Sequence, residues 1–145
     1  MDWKQEAMEK LRQYCVRQEA MQAIPEDIAA LEAEAEGLRG MRIDGVQVKG
    51  GGGAREDMLI SNIVKREELK LALDQASRWV SRVDRGLAAL EEDERLVLQM
   101  LYILPAKGNI ERLCEQLCME QASIYRKRDK ALRRFTLVMY GCMES

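Results

Sequence analysis

The sequence predicts an all-α protein, and three observations support that fold class. Hydrophobic residues make up 47% of the 145 residues and charged residues 33%, whereas aromatic residues are 5% and prolines number only two. This balance suits helices better than strands. Apolar residues also recur three and four positions apart over long stretches, and one glycine-rich segment interrupts them. We therefore expect an N-terminal, coiled-coil-like hairpin of two long helices, followed by further helices.

The first long helix is expected over about 2–40, which is rich in Ala, Glu, Gln, Leu and Met. From Met21 onward its apolar positions alternate three and four apart, as in the seam of a coiled coil. Pro25 interrupts this seam, and proline breaks or kinks an interior helical turn. We expect either a kink or two helices that meet near Ile24. The seam consists of Met21, Ile24, Ile28, Leu31, Ala35 and Leu38.

A glycine-rich loop is expected over 41–55, which contains Gly45 and four consecutive glycines at 50–53. The apolar alternation of Ile43, Val46 and Val48 is too short to form a stable strand, because even an isolated hairpin is marginal in water. The segment is therefore expected to connect two helices.

The second long helix is expected over about 55–90, where apolar residues are spaced four, three, four, three, four and three apart. Two such helices joined by a glycine loop predict an antiparallel hairpin, which alone would leave apolar surface for a second copy. We therefore expect a homodimer. A monomeric bundle is the alternative, because periodicity does not count the helices across an interface. The seam consists of Leu69, Leu73, Ala76, Val80, Val83, Leu87 and Leu90.

A second domain is expected over 89–145, after a hairpin domain over 1–88. Its first helix opens with four acidic residues at 91–94, a placement that the helix dipole favours. Pro105 and Gly108 are expected to end that helix. Its apolar face is formed by Leu96, Val97, Met100, Leu101 and Ile103.

Two further helices with a tight turn between them predict a helix-turn-helix. Asn109 is expected to cap the first, over 110–117. Cys118 and Met119 form the connection, and the second helix is expected from about 120 to 140. Such helices cross closely when a small residue lies midway along the first and apolar residues lock the crossing. The expected small residue is Cys114; the lock is Leu113, Leu117, Met119 and Ile124, and the buried side continues through Ala131, Leu132 and Phe135.

Charge is segregated along the chain, although the net charge is only -2 and the pI about 5.4. Between 120 and 134 there are six basic and two acidic residues, a net charge of +4; between 26 and 40 there are five acidic residues and one arginine, a net charge of -4. A basic second helix neutralises phosphates and releases their counterions. Beside a helix-turn-helix pattern this favours DNA binding; a merely solvated basic face is the alternative.

At 90–135 the chain reads LEEDERLVLQMLYILPAKGNIERLCEQLCMEQASIYRKRDKALRRF. This run resembles the fourth region of bacterial sigma factors as found in small phage regulators of the ArpU and RinA type. The specific features are Glu-Arg-x-Val-Leu at the start, Tyr-Ile at the end of that helix, Ile-Tyr-Arg in the recognition helix and the final Lys-Ala-Leu-Arg-Arg. The helical, glycine-interrupted segment ahead of it resembles those proteins in style only.

The resemblance implies a phage or prophage regulator of transcription that binds double-stranded promoter DNA through its last helix, with RNA polymerase as a further partner. The sequence differs from the family pattern at Cys118, where a glycine usually makes the turn, and at Lys127, where an apolar residue usually packs. The expected DNA-binding residues are Gln121, Ala122, Tyr125 and Arg126 at base-contacting positions, and Lys127, Lys130 and Arg133 at phosphates.

Catalysis, a metal site and a cofactor are not expected. The chain contains no histidine, the commonest general base. Cys114 and Cys118 lie four apart, but a structural zinc needs four ligands and no second pair has ligand spacing. The glycine run lacks the Gly-Lys-Ser/Thr of a phosphate-binding loop. Core packing and a linker are the expected roles of these residues.

A cytoplasmic protein without a membrane segment is expected, because the sequence shows neither a signal peptide nor a long apolar run. Its four cysteines are then expected to stay as free thiols. Other functions remain open: a helical assembly or adaptor protein, a small phage DNA-packaging subunit of the small-terminase kind, or a protein that binds polymerase without reading DNA. The sequence leaves open the target site and the direction of regulation.

Overall fold

The computed structural model describes residues 2–43 and 51–141, and all regular secondary structure within those ranges is helical. This confirms that the protein is all-α. None of the helices in the described part of the chain is long and apolar enough to cross a membrane. The elements are α1 (Trp3–Ile43), α2 (Gly51–Ala88), α3 (Glu92–Leu98), a π-helical turn (Gln99–Ile103), α4 (Asn109–Leu117) and α5 (Gln121–Tyr140).

Helix α1 continues through Pro25 as a single helix, which excludes one of the two expected outcomes, that two helices meet near Ile24. The fixed φ of proline is itself close to the helical value, and its missing N–H removes one backbone hydrogen bond. Strong helix formers on both sides of Pro25 favour continuation of the helix.

Helical structure extends further into the glycine-rich segment than the sequence indicates. Helix α1 ends at Ile43 and α2 begins at Gly51, so the loop predicted over 41–55 is shorter at both ends. Glycine disfavours an interior helical position by only about 1 kcal/mol relative to alanine, which a long helix tolerates. The predicted apolar alternation at Val46 and Val48 lies outside the described residues.

Spatial contacts divide the chain into two units. One contains the described residues up to Arg17 together with those from Arg78 onward, and the other spans Gln18–Ser77. The sequence predicts a division by role, into a hairpin or association region over 1–88 and a helix-turn-helix domain over 89–145. Spatial grouping does not test these roles, so this division stays a prediction.

In the unit Gln18–Ser77, a side chain of α2 binds the backbone of α1. Asn62 is 4% exposed, and its Nδ2 donates a hydrogen bond of 2.8 Å to the carbonyl oxygen of Leu31. The Nε of Arg66 donates to Asn62 Oδ1 at 2.8 Å, which fixes the orientation of the amide. Ala35 and Ala76, one from each predicted seam, are buried.

The other unit is built around the buried side of α5. Phe135 is fully buried there, in a cluster that includes Leu11 of α1 and Val83 and Leu87 of α2. Because these residues come from segments distant in the sequence, the core around α5 depends on both long helices. The buried α5 residues of this cluster are Ala131, Leu132, Phe135 and Met139.

Two contacts show that α1 and α2 run antiparallel in this unit. The hydroxyl of Tyr14 donates a hydrogen bond of 2.5 Å to Asp84 Oδ1, and the guanidinium of Arg17 lies 5.4 Å from the ring centre of Trp79. The later residue of α1 thus contacts the earlier residue of α2, as in a helical hairpin.

Helix α2 approaches α5 closely at Gly86. A Cβ atom at this position would lie 2.7 Å from two ring carbons of Phe135 and 3.0 Å from Cγ of Met139. A contact of 2.7 Å is shorter than van der Waals packing allows. The glycine therefore sets the distance between the two helices.

Candidate nucleic-acid interface

Helices α4 and α5 meet over a small hydrophobic cluster. Leu113 of α4, Ile124 of α5 and Val97 of α3 are fully buried in it. Three further residues that the sequence predicts at the same crossing pack against these: Cys114, Leu117 and Met119. Helices α3 and α4 therefore pack against the buried side of α5.

The end of α3 and the π-helical turn that follows it contribute to both hydrophobic clusters. The N–H of Leu104 donates to the carbonyl of Gln99 at 2.8 Å, a separation of five residues that widens the turn. Leu98 and Tyr102 lie in the cluster around Phe135, whereas Val97 and Met100 lie in the cluster around Ile124. Residues 97–102 thus pack in both of the clusters that contain buried residues of α5.

The turn between α4 and α5 places Cys118 in the left-handed conformation, with φ 53 and ψ 48. Among the described residues it is the one residue other than glycine with a positive φ. The N–H groups of Cys118 and Met119 both donate to the carbonyl of Cys114, the second at 3.1 Å. The first is the bond of an αL cap and the second is the 6→1 bond of a Schellman motif. Cysteine thus adopts a conformation that glycine adopts more readily.

Asn109 does not cap α4 as predicted. Helix α4 begins at Asn109, and the N-cap residue is Gly108, whose φ of 83 favours glycine. The buried side chain of Asn109 donates instead to the carbonyls of Met100, at 2.6 Å, and Leu104, at 3.3 Å. The end of the preceding helical turn leaves carbonyls without partners. Two of them accept the Nδ2 hydrogens of Asn109, and these bonds hold the side chain there instead of at a capping position.

The side of α5 opposite the core carries most of the predicted DNA-binding residues. Arg126, Lys130 and Arg133 are exposed, and their spacing of four and three places them on one side of the helix. Within the described residues none of the three has a carboxylate partner. We call these three residues the basic face. Gln121 and Ala122 are also exposed, at the start of α5, and Tyr125 is partly exposed.

Three of the predicted base-contacting side chains, Gln121, Tyr125 and Arg126, contact neighbours on α5 itself. Nε2 of Gln121 donates to the hydroxyl of Tyr125 at 3.4 Å, and the guanidinium of Arg128 lies 4.9 Å from the Tyr125 ring centre. Nη2 of Arg126 donates to Oγ of Ser123 at 3.1 Å. These contacts are local, so they leave the outer side of the helix accessible.

Lys127 differs from the residues of the basic face. Its side chain is only 19% exposed, and its Nζ lies 3.9 Å from Oδ2 of Asp93 in α3. The ammonium group therefore has a partner within the chain. A phosphate contact by Lys127 stays a prediction, and it requires the ion pair with Asp93 to open or to be shared.

Asp129 places a carboxylate beside the basic face and is neutralised by two cations. Nζ of Lys4 lies 3.0 Å from its Oδ1, and Nη2 of Arg128 lies 2.9 Å from the same atom. Partial burial alone would raise the pKa of Asp129, but hydrogen bonds from Lys4 and Arg128 outweigh it and hold the pKa below its ordinary value. The sequence gives no signal for Lys4, because α1 and α5 are far apart in the chain.

No group of three His, Cys, Asp or Glu residues in the described ranges is placed to hold a metal ion. Cys15, Cys114 and Cys118 are free thiols, and Cys142 lies outside the described residues. The predicted absence of a metal, a cofactor and catalysis stays a prediction.

These features define a class: a small all-α protein whose last long helix carries an exposed basic face on a helical support. The chain belongs to the DUF1492 family, described as a protein of unknown function, and residues 38–136 match the family. The matched segment extends from the end of α1 into the last part of α5. No curated protein and no solved structure matches the chain. Membership therefore gives the family but no activity.

Proposed function

We propose that the protein is a sequence-specific DNA-binding regulator of transcription whose helix α5 enters the major groove. The observation that carries this proposal is the basic face, where Arg126, Lys130 and Arg133 are exposed and lack carboxylate partners in the described chain. The packing of α4 behind α5 and the left-handed turn at Cys118 suit a helix-turn-helix. The overall charge of -2 does not oppose this, because the positive charge is concentrated at α5.

The proposed contacts divide into base readers and phosphate binders. Gln121 and Arg126 donate to base edges, and the methyl group of Ala122 suits a thymine methyl. Tyr125, between them, contributes its ring edge. Lys130 and Arg133, further along α5, bind phosphates and fix the position of the helix in the groove.

The resemblance to ArpU- and RinA-type regulators extends the proposal to a phage or prophage regulator acting on promoter DNA, with RNA polymerase as a partner. Two copies bound together would place one α5 in each half-site. Support for association comes from α2, where Ile60, Ile63, Val64 and Leu71 are between 44% and 60% exposed and fall on one side of the helix. The homodimer is proposed through this surface.

A second candidate function is a helical assembly or adaptor protein. The same apolar side of α2 favours it, because exposed apolar surface on a helix suits a protein partner. This candidate does not need the basic face of α5. DNA binding therefore decides between the two functions.

The experiment compares variants on a duplex selected from a randomised pool and on unrelated duplexes. Arg126→Ala is expected to weaken binding to the selected duplex by about 1 to 3 kcal/mol and to relax its sequence preference. Lys130→Ala is expected to weaken binding to all duplexes alike and to reduce the slope of log affinity against log salt by about 1. Lys70→Ala is the control, because Lys70 is exposed on α2 and pairs with Glu67 at 3.4 Å.

Two results would contradict the proposal in different ways. If the wild-type protein binds no duplex even at low salt, α5 is not a DNA-binding helix and the adaptor function is favoured. If Arg126→Ala and Lys130→Ala weaken all duplexes equally, the protein binds DNA but Arg126 does not read bases.

A further inference from the structure

The first turn of α1 lies against the basic face of α5. Besides the 3.0 Å ion pair between Lys4 and Asp129, the two helices line a common surface cavity of about 310 Å³. Its lining contains three cationic side chains and one carboxylate, a net charge of +2. The lining residues are Trp3, Lys4, Asp129, Lys130 and Arg133.

Two interactions, one within α1 and one with the hydrophobic core, hold the start of α1 at this position. Oδ1 of Asp2 accepts the backbone N–H of Gln5 at 2.8 Å, a side-chain cap that orders the first turn. The next residue, Trp3, packs against the hydrophobic cluster that contains Phe135. Lys4 is therefore placed at the cavity by the fold as well as by its ion pair.

We propose that Lys4, Lys130 and Arg133 form a phosphate-binding site that takes one backbone phosphate of the DNA bound by α5. This inference rests on the proposed function and adds to it a residue from the opposite end of the chain. A phosphodiester carries one negative charge, and lysine and arginine are the residues that bind it through ammonium and guanidinium groups. The net positive cavity beside the basic face matches that ligand.

Asp129 does not block such a site. An ammonium group has three N–H donors, so Lys4 can donate to Asp129 and to a phosphate oxygen together. Asp129 also pairs with Arg128, at 2.9 Å, so its carboxylate is neutralised even while the Lys4 ammonium binds a phosphate. In the protein without DNA, Asp129 thus holds the Lys4 ammonium at the cavity.

The test measures DNA affinity against salt concentration for the full chain and for Lys4→Gln, which keeps most of the side-chain stem. One lost phosphate contact is expected to reduce the slope of log affinity against log salt by about 0.9. With equal affinities of Lys4→Gln and wild type at 1 M salt, this difference in slope makes Lys4→Gln bind about eight-fold more weakly than the wild type at 0.1 M salt. The loss is expected on every duplex, because a phosphate contact carries no sequence information. Lys4→Arg is expected to bind as the wild type does.

A second comparison separates direct contact from neutralisation of Asp129. In an Asp129→Asn background there is no carboxylate for Lys4 to neutralise. Lys4→Gln is still expected to reduce the salt slope in that background. An unchanged slope there would overturn the phosphate contact and leave Lys4 with a neutralising role only.

The failure of this inference differs from the failure of the proposed function. If the wild type binds DNA and Lys4→Gln loses no more than Lys70→Gln, the phosphate site is wrong while α5 remains the DNA-binding helix. If the wild type binds no DNA, the proposed function itself fails. Thermal unfolding of Lys4→Gln serves as the folding control, because loss of a largely solvated ion pair is expected to change the melting temperature little.

Discussion

The guanidinium Nη1 of Arg134 lies 3.1 Å from Oε1 of Glu94, an ion pair that joins α5 to the first turn of α3. The Glu94 side chain is only 2% exposed, whereas that of Arg134 is 39% exposed. The same Oε1 accepts the backbone N–H of Glu91 at 3.0 Å. One carboxylate oxygen thus caps α3 and anchors α5.

Removing the arginine is expected to cost more than neutralising the acid. Arg134→Ala leaves a buried carboxylate without a counter-charge and is expected to lower the free energy of unfolding by about 3 kcal/mol. Glu94→Gln keeps an amide oxygen that can accept from Glu91 and leaves a partly solvated arginine, so a loss of about 1 kcal/mol is expected. Urea denaturation measures both.

The matched control is Arg39→Ala, because Arg39 forms an exposed pair with Glu36 at 3.2 Å. Its expected cost is below about 1 kcal/mol. Adding Glu94→Gln to Arg134→Ala is expected to restore part of the lost stability. Equal losses for Arg134→Ala and Arg39→Ala would show that the buried carboxylate does not depend on its partner.

Alanine is expected to have opposite effects at two helical glycines. Gly86→Ala places a Cβ 2.7 Å from the Phe135 ring and is expected to destabilise the protein by about 1 to 3 kcal/mol, despite the helix propensity of alanine. Gly37→Ala meets nothing within 4 Å and is expected to stabilise it by about 0.5 to 1 kcal/mol. Thermal or urea unfolding compares the two, and a stabilising Gly86→Ala would contradict the close approach of α2 and α5.

Glycine is expected to stabilise the turn after α4. The left-handed conformation costs an L-residue about 1 to 2 kcal/mol, and glycine relieves this while losing about 0.5 to 1 kcal/mol of backbone entropy. Cys118→Gly is therefore expected to raise the free energy of unfolding by about 0.5 to 1 kcal/mol. Cys118→Ala retains a Cβ and is expected to give no such gain, so equal stabilities of the two variants would argue against a left-handed turn.

Stability is expected to fall at high pH because of Tyr14. Partial burial, followed by the hydrogen bond to Asp84, raises the pKa of Tyr14 to about 12, above the value of about 10 in an unfolded chain. The folded state thus holds this proton more tightly, so its stabilising effect is complete below pH of about 10 and is lost between pH of about 10 and 12.

The measurement is urea unfolding of wild type and Tyr14→Phe across that pH range. The difference between them isolates Tyr14 from Tyr102, whose pKa is also raised, mainly by burial. Asp84→Asn removes the carboxylate and is expected to weaken the dependence. The same pH profile for wild type and Tyr14→Phe would contradict the assignment.

Local pattern predicted the last two helices closely. The expected ranges of α4 and α5 differ from the observed ones by one residue at the start, because periodicity, glycine and turn residues act within a few positions. The buried side of α5 at Leu132 and Phe135 followed from the same spacing. Sequence reasoning therefore placed the basic face on the exposed side of α5.

Long-range competition explains what the sequence did not reveal. Asn109 has the residue type of a helix cap, but its Nδ2 donates to two carbonyls of the preceding turn, and these bonds hold the side chain away from a capping position. Lys4 shows no pattern at all, since only the tertiary structure brings it to Asp129. Spacing within one segment contains no information about such partners.

The shared core of α1, α2 and α5 has a consequence for truncated versions of the protein. Leu11, Val83 and Leu87 cover Phe135, and none of them lies in the segment 89–145. Expressed alone, that segment is expected to expose the apolar side of α5. Self-association through this surface would then obscure any binding of nucleic acid. A useful shortened protein must retain the opening turns of α1 and the closing turns of α2.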